Sequence, residues 1–273
     1  MNEIETLKKL QQLQFKILKE VKRVCDKNGI KYILYAGTLL GAMRHNGFIP
    51  WDDDIDIAMT LVEFQKFERI ANSELSKEFF FQTVNTDDEC KSYYCGRVRL
   101  EGTHFISNSL PNSWRHNGIF IDVLPLMKVS ENRLKQKIFF YWFQIAIRIL
   151  WIRNGYRPHP ENRLYRLAMN VSYRVFRIVP SSYLERKLSQ YHKKYLHLKK
   201  YKYIDLLSSN SKQCIIEPKT LENLSSHIFI DTEFLIPEDS NSFLTSYYGN
   251  WRTLPPLEQQ KPHHVINIDF GSY

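Results

Sequence analysis

The amino-acid sequence predicts an α/β (α+β) fold: a mixed sheet core flanked by helices, with a helical insertion. Three observations predict it. Apolar residues recur at helical spacing in some stretches and form short runs bounded by turn residues in others. One short run carries a carboxylate pair, and another carries a single carboxylate. After about Ser130 the composition turns basic and aromatic, which separates residues 130–203 from a catalytic core at 1–129 and a closing segment at 204–273.

Each element follows from its local pattern. Leu7 to Asn28 reads as a helix, with Leu10, Leu13, Ile17, Val21 and Val24 on one face and Asn28-Gly29 as its stop. Ile30 to Tyr35 reads as a strand. Gly37 to Arg44 reads as a turn and short helix ended by Asn46-Gly47. Asp54 to Met59 is the second strand. Thr60 and Glu63 have capping-box spacing, so a helix is expected from there to Asn72. Tyr93–Leu100 and Gly118–Leu124 read as further strands. Leu134 to Leu196 reads as mostly helical, broken at Pro158-His159-Pro160 and at Pro180. Phe229 to Tyr248 holds a turn at Pro237 and then a helix, and the tail Val265–Phe270 predicts a last strand.

At 273 residues the chain is one large domain, or a domain with an insertion, and can bury a substantial core. Its formal charge is +9, with the excess between Arg133 and Lys202. A basic balance suits nucleic acid, an anionic membrane surface or a polyphosphate ligand. Zinc-finger spacing and an aromatic RNA-binding block are both missing from the sequence, so no nucleic-acid partner is expected. Cys25, Cys90, Cys95 and Cys214 form no metal pattern and read as reduced packing residues. The acidic start Met1–Glu5 has no signal-peptide core, and a cytoplasmic chain is expected. Ile138 to Ile152 is strongly apolar but short and interrupted by Arg148. With cations around it, it fits a helix lying in a membrane interface. It fits a helix buried against the catalytic domain equally well.

The chemistry is concentrated in Asp52-Asp53-Asp54-Ile55-Asp56-Ile57. Side chains alternate along a strand, so Asp54 and Asp56 share one face while Ile55 and Ile57 enter the core. Two such carboxylates suit Mg²⁺, with Mn²⁺ as the alternative. Asp122 stands in an apolar strand and needs a partner for its charge, which the same cation would supply. An EF-hand reading fails because position six is Ile57, where a sharp turn needs Gly. Gly37-Thr38 opens a helix after a strand, where free N–H groups and a hydroxyl suit a phosphate; Thr38 as an ordinary helix cap is the plainer reading. Arg97 and Arg99 share a strand face and suit phosphate oxygens, or are a pair of surface cations. Arg44 and His45 are similar in kind, and His263-His264 near the end are placed to approach the site.

Three blocks together carry a resemblance. They are Gly37–Ile57, Gly118–Leu126 and Tyr248-Gly249-Asn250-Trp251-Arg252-Thr253-Leu254-Pro255-Pro256. In this order they resemble the LicD family of bacterial phosphocholine transferases, related to the fukutin proteins and to the nucleotidyltransferase fold. The resemblance implies a nucleotidyltransferase-like core and a metal-assisted phosphotransferase. It implies CDP-choline, or another CDP-linked donor, bound at Gly37-Thr38. Asp54 and Asp56 would hold Mg²⁺, and Asp122 would complete the metal site or act as base. It places Arg44 and His45 in the cleft. The acceptor implied is a sugar of a lipopolysaccharide, capsule or teichoic acid, often lipid-linked, which gives peripheral contact with the inner membrane surface a purpose. Competing readings are a true nucleotidyltransferase, an Asp-x-Asp glycosyltransferase, or a cation-stabilised glycan-binding module.

Overall fold

Helix α1 (Glu3–Asn28) starts four residues earlier than its apolar face predicts, because a capping box closes ahead of it. The Asn2 side chain accepts from Glu5 N–H, and the Glu5 carboxylate accepts from Asn2 N–H. Gly29 ends the helix in the left-handed conformation at φ 61°. This computed structural model describes residues 2–90, 95–106, 116–153, 171, 180–208, 215–262 and 267–273.

The elements that follow are β1 (Ile33–Leu34), α2 (Ala36–His45), β2 (Asp56–Thr60), α3 (Leu61–Glu74), β3 (Phe79–Gln82) and β4 (Gly96–Leu100). Next come β5 (His104–Ile106), β6 (Phe120–Ser130), α4 (Arg133–Arg153), α5 (Ser181–Leu196), β7 (Tyr201–Ile204) and β8 (Ile215–Ile216). The chain closes with α6 (Lys219–Glu222), the hairpin β9 (Leu224–Phe229) and β10 (Thr232–Pro237), α7 (Ser240–Tyr248) and β11 (Asn267–Asp269).

One mixed sheet carries most of the strands, in the order β1-β2-β6-β4-β3, with β7 and β8 continuing from the far half of β6. Only the central β2–β6 pair within it is parallel among the described strands. That fits an α/β (α+β) architecture, since a parallel pair needs a long crossover. β6 runs through Pro125, beyond the expected end at Leu124. It changes partner there, with β4 pairing up to Val123 and β7 from Met127, so the missing proline N–H falls between two ladders.

Other expectations shift in detail. Thr60 caps α3 by accepting from Glu63 N–H, but the box is half made. The Glu63 carboxylate accepts from Lys31 N–H and pairs with Lys66 instead. The turn expected at Pro237 is the end of β10, and the hairpin before it was not foreseen. Cys25, Cys90 and Cys95 are buried, while Cys214 lies outside the described residues.

The main core joins α1, the sheet's near half and the C-terminal hairpin, from Leu10 and Ile17 through Ile57 and Val123 to Phe234 and Leu244. A second core packs one face of α4 (Phe139, Phe143, Ile147, Leu150) against Met127, Val129 and Ile204. No helix among the described residues is long and apolar enough to cross a membrane.

Candidate active site

The acidic segment folds onto the start of α2. Residues Asp52, Asp54 and Asp56 line a cavity of about 860 Å³, while Asp53, Ile55 and Ile57 are buried on the other side. The alternation therefore begins before β2 itself, which starts only at Asp56. Two amides from α1 hold this stretch from behind. Gln11 Nε2 donates to the Asp52 carbonyl and Gln14 Nε2 to the Asp53 carbonyl, each at 2.9 Å. Asp56 N–H donates to Thr38 Oγ1 at 2.8 Å, so the buried Thr38 ties α2 to β2 from outside the cavity lining.

The N-cap of α2 is Tyr35, and its side chain makes no capping bond. A helix start of this kind leaves N–H groups for another acceptor and favours an anion. Ala36 sits at φ 44°, a costly conformation for a residue with a Cβ, at the cavity wall. Gly37 beside it keeps the carboxylate close, since a Cβ there would stand 2.9 Å from Asp52 Oδ2 and push that side chain away.

Asp122 lies one strand over. It is the register partner of Asp56 across the parallel ladder and of Arg97 across the antiparallel one. Register partners share a sheet face, so three charges stand in a row across three strands. Arg97 Nε donates to Asp122 Oδ1 at 2.8 Å, and Cys95 Sγ donates to the same oxygen at 3.3 Å. Arg99 is placed deeper, away from the cavity. It is buried, with Nε on Gln82 Oε1 and Nη1 on the Gly118 carbonyl.

The far wall comes from the third block, with Tyr248, Asn250, Trp251 and Thr253 on the cavity. Arg44 lines the cavity and fastens this wall to α2 by donating from Nη1 to the Trp251 carbonyl at 2.8 Å. Its Nε donates to His45 Nε2 at 3.0 Å. Burial, and then the Arg44 charge, hold His45 below its usual value, which agrees with its Nε2 accepting from Arg44. His263 and His264 lie outside the described residues. Asp269 is in β11, paired with β5, and its carboxylate accepts from Gly271 N–H.

Sequence reasoning missed Asp205. It follows β7, is 4% exposed, and accepts from the Tyr35 hydroxyl at 3.1 Å and from the N–H groups of Leu207 and Ser208. It braces the residue that caps α2. No local pattern announces an aspartate that acts through a tyrosine 170 positions away.

The electrostatics are dominated by crowding. Burial, then the neighbouring Asp54, push the Asp52 carboxyl up to about 8. Burial pushes Asp56 well above its ordinary value, reinforced by Asp54, Asp122 and Asp52. Carboxylate oxygens of Asp52, Asp53 and Asp54 lie within 4.8 Å of one another. Asp53 is turned into the protein at 1% exposure, so a cation entering from the cavity meets Asp52, Asp54 and Asp56. Hard oxygens in excess of neutralising charge fit Mg²⁺ or Mn²⁺.

A pH dependence follows. The folded protein keeps protons on Asp52 and Asp56 that the unfolded chain releases near pH 4. This contribution to stability is full below about pH 4 and is lost as pH rises towards 8. In chelator, the melting temperature is expected to fall by about 5 °C between pH 5.5 and 8, and Mg²⁺ is expected to restore it. A melting temperature flat with pH in chelator would contradict the crowding.

Comparison with known proteins gives the same direction. The family described as LicD/FKTN/FKRP, nucleotidyltransferase domain, matches residues 29–154. The chain is 30% identical over 283 aligned residues to the lipopolysaccharide cholinephosphotransferase LicD of Haemophilus influenzae, covering 95% of this chain and 96% of that protein. It is 39% identical over 51 residues to the ribitol 5-phosphate transferase FKRP of Homo sapiens, covering 19% of this chain and 10% of that one.

Proposed function

The chain belongs to the LicD family and is a transferase of phosphate groups, and from that premise we propose that it moves phosphocholine from a CDP-linked donor to a sugar of a cell-surface glycan. One observation carries the reading. Asp56 and Asp122 are register partners on adjacent strands beside a cavity that opens on the uncapped start of α2. Phosphate oxygens need donors on one side and a hard cation on the other, and this cleft offers both. Choline is favoured over ribitol because similarity to the cholinephosphotransferase runs through 95% of the chain, whereas similarity to the ribitol 5-phosphate transferase covers 19%.

In this proposal the N–H groups at Ala36 and Gly37 receive the donor's pyrophosphate, and Arg44 at the cavity wall neutralises it. Asp54 and Asp56 would hold Mg²⁺, with Mn²⁺ as the alternative. Bound there, the cation would offset charge on the phosphate oxygens. Asp122 shares its Oδ1 with Arg97 and Cys95, so its part is to complete the negative cradle beside Asp56. An acceptor hydroxyl oxygen forms the new bond to phosphorus, its proton goes to a cleft carboxylate, and the bond to CMP breaks. A CDP-linked donor places the reaction in the cytoplasm, on a glycan acceptor of the lipopolysaccharide, capsule or teichoic acid kind.

The test is CMP release from CDP-choline, CDP-ribitol and CDP-glycerol, with acceptor glycan, in Mg²⁺ and in chelator. Metal-dependent CMP from CDP-choline is the expected result. CMP from CDP-ribitol instead would keep the reaction and change the group. Pyrophosphate release from a nucleoside triphosphate, or sugar transfer from a sugar nucleotide, would overturn the reading.

A further inference from the structure

We propose that α4 and α5 form a docking face for an anionic membrane surface. The inference goes beyond the transfer reaction and rests on different residues. Helix α4 has two apolar sides. One is spent in the second core. On the other, Leu134, Ile138, Tyr141 and Ile145 are 56–67% exposed. They recur every three or four residues, so they form a single stripe, about 17 Å long from Leu134 to Ile145. Lys137 and Arg148 fall on the same stripe and are exposed too. Among the described residues nothing covers this second apolar side, and a helix with such a side exposed takes a partner there.

A groove continues the stripe. Between α4 and α5 lies a cavity of about 510 Å³, lined by Ile138, Trp142, Tyr183 and Tyr191, with Lys187 and Lys194 on it. Phe139, Trp142 and Tyr191 stack at its floor, with Phe139 and Tyr191 centroids 4.1 Å apart. Aromatic and aliphatic groups beside lysine ammoniums match a lipid: acyl chains below, phosphate above.

Charge names the occupant. Residues 131–202 contain 17 Lys and Arg against 3 Asp and Glu, an excess larger than the +9 of the whole chain. The remainder of the chain is therefore net acidic, and the cations gather in the segment that carries the stripe. A second copy of this chain would bring the same positive face against itself, which opposes pairing through it. An anionic bilayer attracts the cations and takes the stripe into its interface.

The experiment is co-sedimentation of the full chain with vesicles of phosphatidylcholine, with and without phosphatidylglycerol, alongside its mass in solution. Binding to the phosphatidylglycerol vesicles is expected, weakening as salt screens the lysines. Ile138→Asp with Ile145→Asp is expected to weaken it about a hundredfold, while Ile138→Leu with Ile145→Leu retains it. Both pairs should keep the wild-type melting temperature, since these side chains face water. Binding untouched by the aspartates, equal binding to both vesicle types, or no binding would each overturn the proposal. So would a dimer that the aspartates break, because a second copy would then own the face. Vesicle binding does not depend on any CDP donor, so its failure is separate from failure of the phosphotransfer reading.

Discussion

Asp56→Asn is expected to lower CMP release by about a thousandfold while raising the melting temperature of the metal-free protein. The two effects have one cause. Asp56 stands at the start of β2 with Asp54 and Asp52 on its cavity side and Asp122 across the ladder. Burial, and then those neighbours, hold it well above its ordinary value. Arrangements that are unfavourable in the free protein are retained where a ligand needs them. Asparagine keeps the shape and leaves the Asp56 N–H bond to Thr38 available, but it removes a formal charge from the cradle. Loss of one electrostatic contact to a developing phosphate charge typically costs about 10² to 10³ in rate, and weaker metal binding adds to it. The checks are CMP release and thermal melts in chelator and in Mg²⁺. Stabilisation by Mg²⁺ should shrink with the rate. Wild-type turnover in this variant would remove Asp56 from the proposed chemistry.

What was legible in the chain was whatever a local period writes. The long helix α1, the alternation around Asp54 and Asp56, and the stop at Asn46 all depend on neighbours within a few residues. Strand β3 (Phe79–Gln82) was not legible, since three of its four residues are buried and no polar alternation marks it. Strand β9 (Leu224–Phe229) hid for the opposite reason, because three of its six residues are polar and only Phe229 is buried. The site shows the same division. Spacing puts Arg97 and Arg99 on one face, but only the fold sets their depth, with Arg97 beside Asp122 and Arg99 against Gln82 and Gly118. Asp205 and the amides of Gln11 and Gln14 reach the site across long stretches of chain, so no motif encodes them.

Arg97→Met is expected to lower the melting temperature by about 5 °C, a loss of about 2 kcal/mol for removing one partner of a partly buried ion pair. Two effects oppose each other at this position. Arg97 and Arg99 both lie over the Phe120 ring, at 4.4 and 4.9 Å, and burial together with Arg97 pushes Arg99 down to about 9. Removing Arg97 therefore relieves a repulsion. Against that, Asp122 keeps only the Cys95 thiol on its Oδ1 and faces Asp56 with no guanidinium on its other side to offset the two charges. The second effect wins, because burial opposes the Arg97 charge and Asp122 still holds it above its usual value. Adding Asp122→Asn to Arg97→Met removes the stranded carboxylate and should restore most of the stability. Activity should stay low in both variants, since the cradle beside Asp56 is incomplete in each. Melts and CMP release on the two single variants and the double variant complete a cycle. Additive losses in stability would show that Arg97 and Asp122 act independently, and the row of charges across β2, β6 and β4 would then not be a coupled unit.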